Sequence, residues 1–154
     1  GEAIVQSGGR IDKFIGDGIM ALFTDGSGVE ENSKNALLAA GKLAEGIKEL
    51  STETSSDFGS DLKFGIGIHA GTSVVGAMGY GENITDTAIG DCVNVASRLE
   101  QLTKEEECQL IITSDLYQRS GLSLKASYEK NVTVKGKSDA FKISAFKDAS
   151  TIQI

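Results

Sequence analysis

The sequence has 154 residues, 40% hydrophobic and 24% charged, which is ordinary globular composition and enough chain for one domain, residues 1–154, with its own core. Its formal net charge of −7 argues against general affinity for nucleic acid or an anionic membrane, so an anionic substrate would need local positive charge or a metal ion. No run approaches the ~20 apolar residues of a membrane span, no signal peptide is visible at the start, and Cys92 and Cys108 have neither metal-ligand nor disulfide-framework spacing, so both read as reduced, cytosolic-type thiols.

Ile4 and Val5 ahead of Ser7-Gly8-Gly9 predict the C-terminal end of a helix, with glycine just beyond it. Residues 10–23 then read as two apolar strands around a Gly16-Asp17-Gly18 tip, since Asp-Gly between apolar runs is a strong hairpin signal. Strand alternation puts Ile11, Lys13 and Ile15 on one face and Asp12 and Phe14 on the other. A lysine in line with isoleucines reads either as a snorkelling edge lysine or as a functional cation. Asp17 has two readings as well. It is plain turn chemistry, or a hard-cation ligand of the kind that shares Mg²⁺ with phosphate oxygens.

A Gly/Ser-rich loop at 24–29 leads into a helix over 30–50, with Leu37, Ala40, Ala44 and Ile47 on one stripe. Residues 51–61 are polar and Ser/Thr-rich and predict a connection. Residues 62–70 predict a strand in which Gly65 and Gly67 leave one face bare, open to a backbone or a ligand. His69, the only histidine, has no partnered nucleophile and is read as structural rather than as a general base. Residues 74–78 predict another strand, and 79–83 a loop or extended arm.

Residues 87–100 predict a short buried strand, a Gly90-Asp91 turn with Asp91 as N-cap, and an amphipathic helix. Val93, Ala96, Leu99 and Leu102 supply its inward stripe. Asn94 and Arg98 stand one turn apart on the same face. An amide beside a guanidinium fork suits a phosphate or a developing oxyanion, and also suits a plain solvated face. A short buried strand at 109–113, a helix from Ser114 to Arg119, and strands over 125–134 and 140–146 complete the chain. The last two flank Lys135-Gly136-Lys137-Ser138-Asp139, whose lysines by themselves read as solvated turn charge. The mixed element order, with several hairpins and no repeat, predicts an α+β sandwich with helices on a largely antiparallel sheet.

Four segments together resemble the class III adenylyl/guanylyl cyclase catalytic domain. They are residues 12–23, Phe64-Gly65-Ile66-Gly67-Ile68-His69-Ala70-Gly71, residues 87–100, and Val134-Lys135-Gly136-Lys137. The likeness runs from about residue 8 to about residue 146. It implies a ferredoxin-like α+β fold. It also implies a head-to-tail pair of chains with active sites at their interface. One chain would hold two Mg²⁺ or Mn²⁺ ions per site, and the other would read the purine and stabilise the transition state.

Carried over residue by residue, Asp17 matches a metal aspartate, and Lys13 and Thr87 match the purine-reading pair. Asn94 and Arg98 match the transition-state pair, and Lys135 matches the lysine that contacts the terminal phosphates. Lysine donates to adenine N1 and a threonine hydroxyl can accept from N6, whereas guanine reverses that edge. The resemblance therefore implies an adenylate cyclase that converts ATP to 3′,5′-cyclic AMP and pyrophosphate. Guanylate cyclase and a non-catalytic nucleotide-binding or dimerisation module are the alternatives. All six residues occur in one chain, as a symmetric homodimer requires.

Such a domain would be cytoplasmic, without direct membrane contact of its own, in a parent that is soluble or membrane-anchored through other segments. The family's first metal aspartate lies in a Phe-x-Asp-x-x-x-Phe-type motif on an opening strand, and no such motif occurs here. The expectation is that this chain alone lacks one metal ligand and a central strand, and is inactive or nearly so.

Overall fold

The computed structural model describes residues 1–58, 62–133 and 140–152. Helix α1 (Glu2–Gln6) closes where expected, with the Gly9 N–H donating to the Ile4 carbonyl at 2.9 Å and Gly8 at φ 78°. Strands β1 (Arg10–Ile15) and β2 (Gly18–Leu22) form the predicted antiparallel hairpin. Their register shifts between Ile11 and Lys13, so Asp12 is the extra residue of a bulge. Simple alternation therefore fails at this point. Asp12 and Phe14 do not share an environment, because the Asp12 side chain is wholly buried and Phe14 is 70% exposed.

Helix α2 (Val29–Phe58) runs eight residues past the predicted end and absorbs most of the expected Ser/Thr-rich connection. That segment contains no glycine or proline, and Thr52 Oγ1 donates to the Lys48 carbonyl one turn back, at 2.9 Å. A hydroxyl satisfied on its own helix no longer competes for the backbone. Strand β3 (Ile66–Ile68) is shorter than predicted. Strands β4 (Val74–Tyr80) and β5 (Asn83–Ile89) pair antiparallel along their whole length, so the segment read as a loop or arm is the end of a hairpin.

Helix α3 (Asp91–Glu105) follows directly. After it come β6 (Leu110–Thr113), α4 (Ser114–Arg119), β7 (Tyr128–Thr133), β8 (Ala140–Phe146) and a 3₁₀ turn at Ala149–Thr151. The main sheet has the order β3-β6-β8-β7. Its β3–β6 pair is parallel and the others are antiparallel. This is an α+β, ferredoxin-like arrangement, as the sequence predicts.

Strand β6 is buried from end to end, and its alternation splits the core in two. Leu110 and Ile112 pack with Leu37, Ala40 and Ala44 of α2 and with Phe146. Ile111 packs with Val95 and Leu99 of α3 and with Ile143. The glycine face of residues 65–67 is filled by helix α3 rather than by a ligand. A β-carbon on Gly65 would meet the Thr103 side chain, at 2.0 Å from Oγ1, and one on Gly67 would meet helix backbone at 2.3 Å. Helix α3 therefore lies directly on β3.

Candidate active site

The site residues are held by two hairpins and one helix. Helix α3 starts differently from the sequence reading. Gly90, at φ 145°, is the N-cap, and its carbonyl accepts from the Val93 and Asn94 N–H groups at 3.1 and 3.4 Å. A side chain at that φ would be strained, so glycine takes the cap. Asp91 becomes the first helical residue, where a carboxylate still complements the helix dipole. Strand β5, Gly90 and α3 form one continuous unit that carries Thr87, Asn94 and Arg98 in that order. Val95 and Leu99 anchor the helix inward. Asn94 is left exposed and Arg98 half-buried on the outer side.

Lys13 and Thr87, far apart in the sequence, meet through a third residue. Thr87 Oγ1 donates to Asp12 Oδ2 at 2.6 Å. The Lys13 Nζ atom stands 3.6 Å from that same oxygen. On the other side, Arg10 Nη1 lies 3.5 Å from Asp12 Oδ1. A buried carboxylate is thus flanked by two cations and one hydroxyl, which offsets its desolvation. Sequence reasoning missed Asp12. The available signal was an acidic residue inside an otherwise apolar strand, and the bulge that turns it inward leaves no mark on the residue pattern.

Asp17 sits in the β1–β2 turn, exposed, next to Gly16 at φ 61°, where a β-carbon would meet nothing within 4 Å. No hydrogen bond or ion pair among the described residues joins it to Asn94 or Arg98. No group of three or more His, Cys, Asp or Glu side chains that could enclose a metal occurs among them either. What Asp17 offers is one open carboxylate with room for a bulky co-ligand. That fits a divalent cation whose remaining ligands are phosphate oxygens. Lys135 lies outside the described residues.

His69 Nδ1 is 3.1 Å from Thr113 Oγ1, and its ring meets Phe141 edge-on, as a structural histidine would. A cleft beside α2, lined by Ala44, Lys48, Thr52, Phe64 and Asp148, contains none of the site residues. Lys13, Asp17 and Asn94 stand instead on open surface. Around them the two hairpins expose apolar side chains. Val74 and Ile89, directly opposite each other on β4 and β5, are 68% and 54% exposed, and Tyr80 at the hairpin end is 93% exposed.

Residues 7–146 match the family described as the adenylate and guanylate cyclase catalytic domain. The chain is 43% identical over 152 residues to an adenylate cyclase of Anabaena cylindrica, spanning 93% of this chain and 29% of that protein. It is 39% identical over 145 residues to the terminal-differentiation specific adenylate cyclase of Dictyostelium discoideum, spanning 92% of this chain and 7% of that protein. It therefore spans less than a third of the length of either relative. Among solved structures, it superposes on the adenylyl cyclase CyaB from P. aeruginosa with TM-score 0.82 and 26% identity, over 94% of this chain and 74% of that one. The guanylyl cyclase Cya2 gives TM-score 0.81 at 26% identity, over 94% and 72%.

Proposed function

The chain belongs to the adenylate and guanylate cyclase catalytic domain family, and from that premise we propose that it is an adenylate cyclase domain working as a head-to-tail homodimer on metal-bound ATP. The observation that supports this reading most is the convergence of Lys13 and Thr87 on Asp12. It gathers a donor and a hydroxyl at one spot, the two groups that complement adenine N1 and N6. A wrong base would leave polar groups unpaired, and such mismatches give strong discrimination.

The reaction is attack of the ribose 3′-oxygen on the α-phosphorus. The new bond is 3′-O–P, the bond broken is the one from the α-phosphorus to the bridging oxygen, the 3′-hydroxyl proton passes to solvent water, and pyrophosphate leaves with the bond's electron pair. Arg98 meets the charge that spreads over the α-phosphoryl oxygens, and Asn94 orients the ribose. Lys135 is assigned to the terminal phosphates. Asp17 is assigned as one ligand of the divalent cations, two per site, which would lower the pKa of the 3′-hydroxyl and neutralise phosphate charge.

The exposed apolar faces of the two hairpins support a second copy as partner, because contiguous apolar surface of this kind marks interaction sites. In a two-fold pair each chain serves both halves of a composite site, Asp17 on one side and Arg98 on the other. Mixing tests this directly. Asp17→Ala and Arg98→Ala variants of the full-length parent, each inactive alone, are mixed one to one, and Mn²⁺-dependent cyclic AMP formation is measured. Half the dimers are then mixed, each with one intact site, so about a quarter of the wild-type rate is expected. No recovery, from variants that still dimerise, overturns the composite site. Conversion of GTP in preference to ATP by the wild type would favour guanylate cyclase.

A further inference from the structure

Asp12 is a buried acid that the base-reading assignment does not use. Its side chain is wholly shielded, and Oδ2 accepts a hydrogen bond from the Thr87 hydroxyl at 2.6 Å while standing 3.6 Å from Lys13 Nζ. Oδ1 has no hydrogen-bond partner among the described residues, and its neighbour is the Arg10 guanidinium at 3.5 Å. A threonine hydroxyl has one proton and two lone pairs, and normally rotates to suit whatever it meets. Here the proton is committed to a carboxylate in a short, charge-assisted bond.

We infer that Asp12 fixes the hydrogen-bond polarity of Thr87, so that the hydroxyl can only accept from the nucleotide base, which makes Asp12 a positioning residue for purine specificity. The inference rests on the base-reading role proposed above for Lys13 and Thr87. Adenine presents an amino donor at N6, and the held hydroxyl accepts it. Guanine presents a carbonyl acceptor at O6, and meets a lone pair. To donate to guanine, Thr87 would have to abandon a buried carboxylate and leave it unsatisfied, which is costly. Without Asp12 the hydroxyl would turn either way and read both bases. The same oxygen attracts the Lys13 ammonium and limits the wandering of its flexible stem.

The test is a double-mutant cycle on base preference. Affinities for ATP and GTP are measured with Mn²⁺ for the wild type, Asp12→Ala, Thr87→Val and the double variant. The expected result is an ATP preference in the wild type that falls by about tenfold in Asp12→Ala, chiefly through a gain for GTP. In the Thr87→Val background the Asp12 change should not move the ratio further, because its effect runs through the hydroxyl. A merely structural Asp12 would weaken both nucleotides alike in either background, and that result overturns the inference. A wild type with no ATP preference sinks the base-reading role itself, and the inference with it. A wild type that prefers ATP, beside an unchanged ratio in Asp12→Ala, sinks the inference alone. Should Asp12→Ala fail to fold, nuclear magnetic resonance of the wild type decides. The Thr87 hydroxyl proton should exchange slowly enough to be seen and correlated with its own side chain, and a rapidly exchanging proton overturns the inference.

Discussion

Gly67 in β3 lies so close under Ala96 in α3 that a β-carbon added to the glycine would stand 2.3 Å from the Ala96 carbonyl oxygen. The Glu100 nitrogen would be equally near, so the obstacle is helix backbone and not a side chain that can swing away. Gly67→Ala must therefore lift α3 off the sheet. Overpacking of this kind costs about 1–3 kcal/mol, read as a lower denaturation midpoint. The same displacement moves Asn94 and Arg98, and ~1 Å at a reacting centre can cost ~100-fold in rate. Gly76→Ala is the control, since a β-carbon there would meet nothing within 4 Å. If the two variants unfold at the same midpoint, the close approach of α3 and β3 is not what holds this helix.

Arg98 and Asn94 carry a second prediction. Arg98 is half-buried and Asn94 exposed on α3, and neither fills the core. In the full-length parent, alanine at either site should leave the unfolding midpoint nearly unchanged and lower kcat, for Arg98 by about a hundred- to a thousand-fold, the usual loss for one donor to a developing oxyanion. Arg98→Lys should recover little, because an ammonium does not reproduce the guanidinium fork. A variant that raises KM alone would instead mark Arg98 as a ground-state binding residue.

Much of this architecture is legible in local chemistry, and the exceptions have physical causes. The β1–β2 hairpin follows from Gly16-Asp17-Gly18, and the end of α1 from Gly8 and Gly9, because turn glycines act locally. The stripe of α3 is legible only in part: Leu99 of the expected Val93, Ala96, Leu99 and Leu102 is fully buried, but its partner one turn back is Val95 rather than Val93 or Ala96. The true end of α2 is hidden because Ser and Thr read as loop formers, until a hydroxyl such as that of Thr52 bonds back to its own helix. The reach of β4 and β5 depends on pairing between strands, such as Tyr80 with Asn83, which no single segment announces. Asp12 is hidden for the same reason, since its bulge is a property of two strands in register. Lys13, Thr87, Asn94 and Arg98 become candidates only as a set, because singly Lys13 reads as an edge lysine, Thr87 as part of a short buried strand, and Asn94 with Arg98 as a solvated helix face.

The exposed Val74–Ile89 pair carries the third prediction. These residues face each other across β4 and β5 next to the Gly90 cap, and each is more than half exposed. If this hairpin is the surface where two copies meet, a charge placed there is buried without a partner, once per chain in a two-fold pair. Ile89→Lys should shift the sedimentation-equilibrium mass from dimer toward monomer at micromolar protein and lower cyclase activity in step. The monomer's own midpoint should barely move. A variant that stays dimeric would place the contact elsewhere.

Glu106 gives a stability prediction with a defined sign. It is held below the ordinary glutamate range, first by the hydrogen bond from the Lys130 ammonium and then by that from the Tyr128 hydroxyl, whose Oη lies 2.7 Å from Glu106 Oε2. Burial raises the carboxyl in opposition and is the smaller effect. A carboxyl depressed in the folded state stabilises the fold fully above its unfolded value of 4.5. That contribution is lost as the pH falls through the folded value. The tie joins the end of α3 to β7, so its loss loosens an edge strand of the main sheet. Urea midpoints measured from pH 7 down to pH 3 should therefore fall for the wild type. Glu106→Gln should start lower at pH 7 and fall less steeply, so that the two curves converge at acid pH. Parallel curves over that range would mean that Glu106 does not contribute to the acid sensitivity.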